Sequence, residues 1–287
     1  MDLDKITDLI NRTFSNKLLP SEPKSTYEFS RFVSPCGVLV VFKSGKVLLQ
    51  HKGLDDVEEF LISINSYGNY SIMIGADEVG KGELFGGILV CGVRILSDTY
   101  KKLERLASGM DTKRNAHLDR LEKFVSEIKS LGVEYALDEI PVEKLEPRSM
   151  NKLLTLSYVK VIKEVVDNVS PDTSKGSTRI VIDDFGMSRN DRNSVLASFS
   201  FADVVIEPKA DDNYLECKVA SLISRYYREK FLEYINSKYV VDGIKPGSGN
   251  LSDTNTIKWI RKWYESYGSI PPFVRRWKII DNIQKSS

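Results

Sequence analysis

Three apolar segments of this sequence each lead into a pair of acidic residues, and no other feature restricts the fold as strongly. The segments and the acids that follow them are residues 72–76 with Asp77 and Glu78, residues 180–182 with Asp183 and Asp184, and residues 204–206 with Asp211 and Asp212. Short apolar runs that alternate with amphipathic helical patterns are typical of the buried strands of an α/β sheet. Because sites in such sheets form where strands end, we expect these carboxylates to lie together in a mixed central sheet flanked by helices.

The beginning of the chain has a different pattern. Residues 3–14 have apolar side chains at helical spacing, and residues 26–50 contain three short apolar segments, the last two of which flank a glycine-containing turn. This pattern predicts a small α+β domain with an antiparallel sheet. Polar residues 65–69 are the best linker, so we expect one domain at residues 1–68 and a second at residues 69–287.

Composition narrows the chemistry that is possible. Among 287 residues only two are histidine and three are cysteine, and no two cysteines have C-x-x-C spacing. A disulfide framework, a thiolate zinc site and a histidine-rich metal site are therefore not indicated. Lysine and arginine number 41 against 40 acids, which argues against a domain that coats nucleic acid nonspecifically.

Membrane association is not expected from the sequence. No segment approaches the roughly 20 apolar residues that a membrane span needs, and the N-terminus lacks a basic region followed by an apolar core. We expect a cytoplasmic protein.

The acidic pairs favour a metal site with oxygen ligands. Carboxylates that meet in one place repel each other unless a hard cation such as Mg²⁺ or Mn²⁺ neutralises them. Two such ions about 4 Å apart can hold the attacking water and the leaving oxygen of a phosphodiester, which needs neither histidine nor cysteine. An acid that follows a strand is also often a helix N-cap, and this alternative stays open for each pair taken alone, including Asp211 and Asp212.

The glycine-rich segment at residues 75–82 has two interpretations. It satisfies G-x-x-x-x-G-K but lacks the final serine or threonine of a phosphate-binding P-loop, and two acids would lie inside that loop. A P-loop nucleotide triphosphatase is therefore the weaker interpretation. Alternatively, Gly80 and Gly82 let the backbone approach a sugar-phosphate closely while Lys81 contacts a phosphate.

At the C-terminal end, basic residues accompany two tryptophans that share a helical face. The basic residues are Lys258, Arg261, Lys262, Arg275, Arg276, Lys278 and Lys285. They either contact phosphates beside a packed aromatic anchor, or form a solvated face on a helix whose Trp259 and Trp263 belong to the core.

Several of these segments resemble the type 2 ribonucleases H, which comprise ribonucleases HII and HIII. The matching segments are residues 77–82, which resemble the D-E-x-G-x-G signature; Asp183, which resembles the third aspartate; residues 209–211 with 220–225, which resemble the fourth acid and its helix; residues 111–113, which resemble the D-S-K element; and residues 247–253 and 272–278, which resemble segments of archaeal ribonuclease HII. Residues 37–50 resemble the TATA-box-binding-protein-like domain that precedes the catalytic domain of ribonuclease HIII.

The resemblance implies a ribonuclease-H-like fold and an endoribonuclease that cleaves the RNA strand of RNA/DNA hybrids, leaving 5′-phosphate and 3′-hydroxyl ends. It implies two Mg²⁺ or Mn²⁺ ions, with Asp77 bridging them. The implied catalytic residues and metal ligands are Asp77, Glu78, Asp183 and Asp211; the implied substrate-binding residues are Gly80, Lys81, Gly82, Asp111, Thr112, Lys113 and Tyr227. Tyr226 lies in an apolar helical stripe and is expected in the core, which makes Tyr227 the candidate for stacking on a sugar or base.

Some properties stay open at this point. Lys81 stands where the HII signature usually has arginine, so cleavage at a single embedded ribonucleotide is undecided. Asp184, Asp212 and Glu216 either support the ligands or have solvated and capping roles. We expect a monomer that binds RNA/DNA hybrid; a sliding-clamp partner cannot be read from the sequence. A non-catalytic hybrid-binding protein is the second alternative.

Overall fold

The computed structural model describes residues 3–43, 47–57, 61, 70–110, 118–145, 150–166, 178–277 and 280. The chain divides into two compact units, Met1–Gly68 and Asn69–Ser287. Within the described ranges, no helix combines the length and the apolar character that a membrane crossing requires.

The first unit is a four-stranded antiparallel sheet with a helix on one face. Its elements are α1 (Leu3–Phe14), β1 (Leu19–Ser21), β2 (Glu28–Ser34), β3 (Gly37–Phe42) and β4 (Val47–His51), and the strands lie in sequence order. Ile6, Ile10 and Phe14 of α1 pack against Phe32 and Leu39 of the sheet. The predicted α+β unit is confirmed; β1 was not predicted, and the turn residues 44–46 lie outside the described residues.

The second unit contains a five-stranded mixed sheet. Its strands are β5 (Ile72–Val79), β6 (Ile88–Leu96), β7 (Glu134–Ile140), β8 (Thr178–Asp183) and β9 (Asp203–Glu207). Their order is β7-β6-β5-β8-β9, in which β8 runs parallel to both β5 and β9, and β6 runs antiparallel to both β5 and β7. The predicted mixed central sheet is confirmed, and β5 is its central strand.

Helices cover both faces of this sheet. The described helices are α2 (Ser97–Ser108), α3 (Leu118–Ser130), α4 (Met150–Val166), α5 (Arg189–Ser198), α6 (Ala210–Asn213), α7 (Leu215–Lys238) and α8 (Thr254–Tyr267), with a 3₁₀ turn at Val142–Lys144. On one face, Tyr158 and Val161 of α4 pack against Ile74 of β5. On the other face, Cys217 of α7 packs against Val181 of β8. Flanking helices are therefore present as predicted.

The aromatic residues of α8 belong to a separate core. Trp259 is fully buried and meets Phe85 edge to face at 5.5 Å between ring centroids. Trp263 packs against the same cluster, at 5.3 Å from Trp259. Both tryptophans are therefore packed in a core, which fits either interpretation of the basic residues, and phosphate contact by those residues stays a prediction.

Candidate active site

Asp77 and Glu78 lie within strand β5. The sequence pattern predicts that the apolar strand ends at residue 76, but β5 continues to Val79 because its pairing with β6 extends to the Val79–Leu89 register. Its central position leaves only 7% of Asp77 exposed, while Glu78 is half-buried. The same extended backbone means that residues 75–79 form no loop around a phosphate, which argues against the P-loop interpretation.

The third carboxylate reaches the same place from the neighbouring parallel strand. Ala76 pairs with Ile182, so Asp183 at the end of β8 lies beside Asp77. One carboxylate oxygen from each of Asp77, Glu78 and Asp183 lies within 4.8 Å of the other two. The structure thus brings together three of the four predicted ligands.

Burial and mutual repulsion raise the pKa values of this cluster. The pKa of Asp77 lies well above its usual range because of burial and the Glu78 charge, against which a Ser221 hydrogen bond acts. Burial also raises the pKa of Glu78, although a hydrogen bond from Tyr158 and the charge of Lys81 oppose the shift. Burial raises the pKa of Asp183, while the Ala210 amide, which donates to Asp183 Oδ1 at 2.6 Å, opposes it.

The fourth predicted ligand, Asp211, lies next to this cluster but outside the group that meets within 4.8 Å. Asp211 belongs to the short helix α6. The residue before this helix, Lys209, has a left-handed backbone conformation with φ 59°. The charge of Asp211 contributes to the raised pKa of Asp183, so the two side chains are neighbours. The N-cap positions of α6 and α7 are Lys209 and Tyr214, so neither Asp211 nor Asp212 is an N-cap residue.

The other nearby acids have different surroundings. Asp184 accepts from the backbone amides of Gly186 and Met187 and pairs with Arg192, so it stabilises the turn after β8. Glu216 is fully buried and pairs with Arg179 at 2.8 Å. Asp212 is exposed. Among the described residues, these three acids are not part of the carboxylate cluster.

The donor atoms of the cluster fit a hard divalent cation. All three side chains supply oxygen, the ligand type that Mg²⁺ and Mn²⁺ prefer. Burial raises the pKa of the neighbouring Cys91 and Cys217 thiols far above the usual range, so these thiols stay protonated and supply no thiolate. Because buried carboxylates repel each other and resist ionisation, a bound cation would stabilise their charged forms.

The glycine segment that follows β5 holds the three predicted substrate residues Gly80, Lys81 and Gly82. Gly80 has φ +90° and a Cβ there would lie 3.1 Å from the Gly87 carbonyl, whereas Gly82 is exposed with nothing within 4 Å of such a Cβ. The Lys81 ammonium donates to the Phe185 carbonyl at 2.5 Å and lies 5.3 Å from the centre of the Phe185 ring. The Lys81 ammonium is therefore hydrogen-bonded to the protein itself, and its charge acts on Glu78.

Arg275 organises this segment, a role that sequence reasoning missed. The sequence pattern places Arg275 among basic residues that contact phosphate or solvent, but its side chain is only 1% exposed. Its guanidinium donates to the carbonyls of Lys81, Gly86 and Gly87 at 3.2, 2.8 and 2.9 Å. Burial lowers the pKa of Arg275 to about 10. A buried arginine close to glycine-rich backbone is not distinguishable from a surface arginine by residue type alone.

Tyr227 lines a cavity of about 230 Å³ next to the same segment. Gly86, Gly87 and Phe231 contribute to the walls, and the Tyr227 hydroxyl lies 2.8 Å from the Tyr135 hydroxyl. Burial raises the pKa of Tyr227 to about 12. The neighbouring Tyr226 is buried, as expected for a core residue. The remaining predicted substrate residues, Asp111, Thr112 and Lys113, lie outside the described residues.

Comparison with known sequences gives a consistent result. Residues 74–279 match the family model of Ribonuclease HII. Ribonuclease HII of Pyrococcus abyssi is 30% identical over 216 residues, covering 74% of this chain and 90% of the relative. Ribonuclease HII of Sulfurisphaera tokodaii is 29% identical over 213 residues, covering 74% of this chain and 95% of the relative.

Comparison with solved structures extends the similarity to the N-terminal unit. RNase HII in the PCNA complex from Archaeoglobus fulgidus has a TM-score of 0.59 and 27% identity, covering 74% of this chain and 96% of that chain. Bst-RNase HIII in complex with Mn²⁺ has a TM-score of 0.62 and 18% identity, and it covers 98% of this chain and 96% of its own. The latter likeness shows a shared fold over nearly the whole chain.

Proposed function

The chain belongs to the ribonuclease HII family, and from this premise we propose that it hydrolyses the RNA strand of RNA/DNA hybrids in a divalent-metal-dependent reaction. The observation that carries the proposal is the meeting of Asp77, Glu78 and Asp183 within 4.8 Å. These are three of the four acids that resemble the catalytic residues of the type 2 ribonucleases H. We propose 5′-phosphate and 3′-hydroxyl products.

We assign Asp77, Glu78, Asp183 and Asp211 as ligands of two Mg²⁺ or Mn²⁺ ions. Bound ions of this kind lower the pKa of an attacking water and stabilise the leaving 3′ oxygen. Asp77 is the bridging candidate by resemblance, and it is the most buried of the three clustered acids, next to Glu78 on β5 and beside Asp183 of β8. The Ala210 amide fixes Asp183 Oδ1 and at the same time joins β8 to the helix of Asp211.

We assign substrate recognition to the segment after β5. The wide minor groove of the hybrid presents 2′-hydroxyls to backbone groups, and the open position at Gly82 permits close approach. Lys81 would release the Phe185 carbonyl to contact a phosphate. Asp111, Thr112 and Lys113 remain proposed substrate-binding residues by resemblance. Tyr227 is proposed to contact a sugar or base through its cavity.

We further propose that residues 1–68 form a substrate-binding domain and residues 69–287 the catalytic domain. On the first unit, the sheet face opposite α1 leaves Leu48 and Gln50 exposed, and Lys43 and Lys52 are exposed at strand ends. An exposed sheet face with cations at its edge suits a duplex backbone. We propose a monomer, to be tested by sedimentation. The relative in a PCNA complex makes a sliding clamp the partner to test by co-elution.

Cleavage of labelled duplexes with Mg²⁺ and Mn²⁺ in parallel tests this function. One duplex contains a continuous RNA strand opposite DNA, and another contains a single ribonucleotide within DNA. We expect cleavage of the continuous hybrid without any nucleoside triphosphate, and products with 5′-phosphate ends. Cutting of both duplexes would place the activity with ribonuclease HII, whereas cutting of the continuous hybrid alone would place it with HIII.

Two results would overturn the proposal. Tight hybrid binding without cleavage under either ion would indicate the non-catalytic binding protein. Turnover that requires ATP, and is lost in Lys81→Ala together with ATP binding, would indicate the P-loop alternative.

A further inference from the structure

The hydroxyl of Tyr158 donates a hydrogen bond to Glu78 Oε2. Tyr158 lies on α4, and its side chain is fully buried beneath β5. We propose that Tyr158 is a positioning residue that fixes the Glu78 carboxylate for metal binding. This inference rests on the proposed assignment of Glu78 as a metal ligand.

The position of the Tyr158 ring is itself fixed from two sides. Within the core cluster it packs with Ile74 of β5 and Val161 of α4. The Phe185 ring lies 5.1 Å from it, inclined by 34°. Phe185 is two residues beyond Asp183, so the tyrosine is held between its own helix and the segment that follows a second proposed ligand. A ring packed in this way can move little, and its hydroxyl therefore has a defined location.

The same contacts connect Glu78 to the proposed substrate segment. The Phe185 ring packs against Tyr158, and the Phe185 carbonyl accepts a hydrogen bond from the Lys81 ammonium. The charge of Lys81 also acts on Glu78. Contacts thus run from Glu78 through Tyr158 and Phe185 to Lys81, and they link β5, α4 and the turn after β8 to the segment that follows β5.

The hydrogen bond has a direct consequence for metal binding. A glutamate side chain has several rotatable bonds, and ordering it when an ion binds reduces the affinity. Tyr158 orders Glu78 in advance and would reduce this cost when the carboxylate binds an ion. Loss of a hydrogen-bond partner behind a metal ligand typically weakens metal affinity by about 10- to 100-fold.

Calorimetric titration of the full-length protein with Mn²⁺ alone, without nucleic acid, tests the proposal. We expect Tyr158→Phe to bind Mn²⁺ at least about 10-fold more weakly than wild type. Tyr226→Phe is the matched control, because it removes a hydroxyl from another buried tyrosine, one that bonds Glu122 at 3.2 Å. Its Mn²⁺ affinity should equal that of wild type.

Cleavage kinetics give a second measurement that a general loss of stability would not reproduce. In Tyr158→Phe, the Mn²⁺ concentration for half-maximal cleavage should rise by the same factor, while KM for the hybrid at saturating Mn²⁺ stays at the wild-type value. In a Glu78→Gln background, adding Tyr158→Phe should change Mn²⁺ affinity less than about 2-fold, because the bonded carboxylate is already lost.

The outcomes separate this proposal from the proposed function. If wild type binds no Mn²⁺ and cleaves no hybrid, the function itself fails. If wild type binds and cleaves but Tyr158→Phe titrates identically, the positioning role alone is refuted. Should Tyr158→Phe not fold, Phe185→Leu removes the ring that packs against Tyr158; weaker Mn²⁺ binding by this variant supports the proposal, and unchanged binding contradicts it.

Discussion

The backbone of Glu216, at the start of α7, lies directly against Gly75 in the middle of β5. A Cβ on Gly75 would lie 2.1 Å from the Glu216 carbonyl carbon and 2.4 Å from the carbonyl oxygen. Both distances are too short for atoms that are not bonded to each other. Gly75 precedes Asp77 by two residues, and α7 carries Ser221, which hydrogen-bonds Asp77. The close approach of helix to strand therefore sets the surroundings of the most buried carboxylate.

Gly75→Ala should consequently destabilise the protein severely, because the added methyl can be accommodated only by moving α7 away from β5. We expect a loss of about 3 kcal/mol or more in the free energy of unfolding, measured by urea denaturation. Gly82→Ala is the control: nothing lies within 4 Å of a Cβ there, so its stability should stay within about 0.5 kcal/mol of wild type. Equal stability of the two variants would contradict the packing described.

Arg275 and Arg276 are adjacent arginines with opposite surroundings, since Arg275 is buried and Arg276 is exposed. Arg275→Met leaves three loop carbonyls without their donor, and we expect a destabilisation of about 3 kcal/mol together with weaker hybrid binding. Arg276→Met should be neutral for stability. Thermal unfolding and fluorescence anisotropy with a labelled hybrid measure both effects, and a larger loss of stability in Arg276→Met would refute the assigned role.

The raised pKa of Asp77 predicts a pH-dependent stability in metal-free buffer. An acid whose pKa is higher in the folded state binds more protons there, so stability falls as pH rises from about 4, the unfolded pKa, through the folded pKa. Asparagine does not titrate. In EDTA, Asp77→Asn should therefore match wild type near pH 4 and exceed it by about 1 kcal/mol or more at pH 7.5.

Addition of Mg²⁺ at pH 7.5 should make the wild type more stable than Asp77→Asn. Binding at about 100 times Kd stabilises the wild type by about 2.7 kcal/mol, whereas Asp77→Asn lacks the central ligand and should gain much less. Melting temperatures at pH 4 and 7.5, with and without Mg²⁺, check both statements. A wild type that is more stable than the variant in EDTA at pH 7.5 would contradict the burial argument.

Asp211 and Asp212 provide a second adjacent pair. Asp211→Asn should lower the cleavage rate by about 100-fold or more, because it removes a proposed ligand beside Asp183, and Asp212→Asn should retain nearly full activity. Initial rates on the continuous hybrid at fixed Mg²⁺ give the comparison. Comparable losses in both variants would mean that the fourth acid has been assigned wrongly.

The central sheet and most of the acidic site residues could be predicted because each depends on a short, local sequence pattern. Apolar runs that end in acids mark β5 and β8, and helical spacing marks α1 and α7. By contrast, β7 (Glu134–Ile140) was missed because four of its seven residues are charged or tyrosine, so that neither an apolar run nor a clean alternation is present. The predicted end of β5 at residue 76 was also wrong, because pairing with β6 extends the strand through the polar residues Asp77 and Glu78 to Val79.

Roles that depend on tertiary contacts gave no sequence signal. Tyr158 belongs to the apolar helix α4 and is typical of a core residue, and only the folded structure places its hydroxyl on Glu78. The role of Arg275 also gave no sequence signal, because its hydrogen-bond partners are backbone carbonyls almost 190 residues away in the chain. The meeting of Asp77 with Asp183 was expected because both acids follow apolar strand segments, although Asp77 lies within β5 and not beyond its end. The separation of Asp211 from the tight group depends on the conformation of α6, which gave no sequence signal.

The most direct test of the proposed carboxylate-based hydrolysis compares wild type with Asp77→Asn on one labelled RNA/DNA hybrid in Mg²⁺, measuring single-turnover cleavage and hybrid binding separately. We expect wild type to cleave the RNA strand, and Asp77→Asn to be slower by at least about 1,000-fold, since several kcal/mol of metal-derived stabilisation are lost. Its Kd for the hybrid should stay within about 3-fold, because the variant removes no phosphate contact. Near-wild-type cleavage by Asp77→Asn would contradict the assignment of this cluster as the catalytic centre.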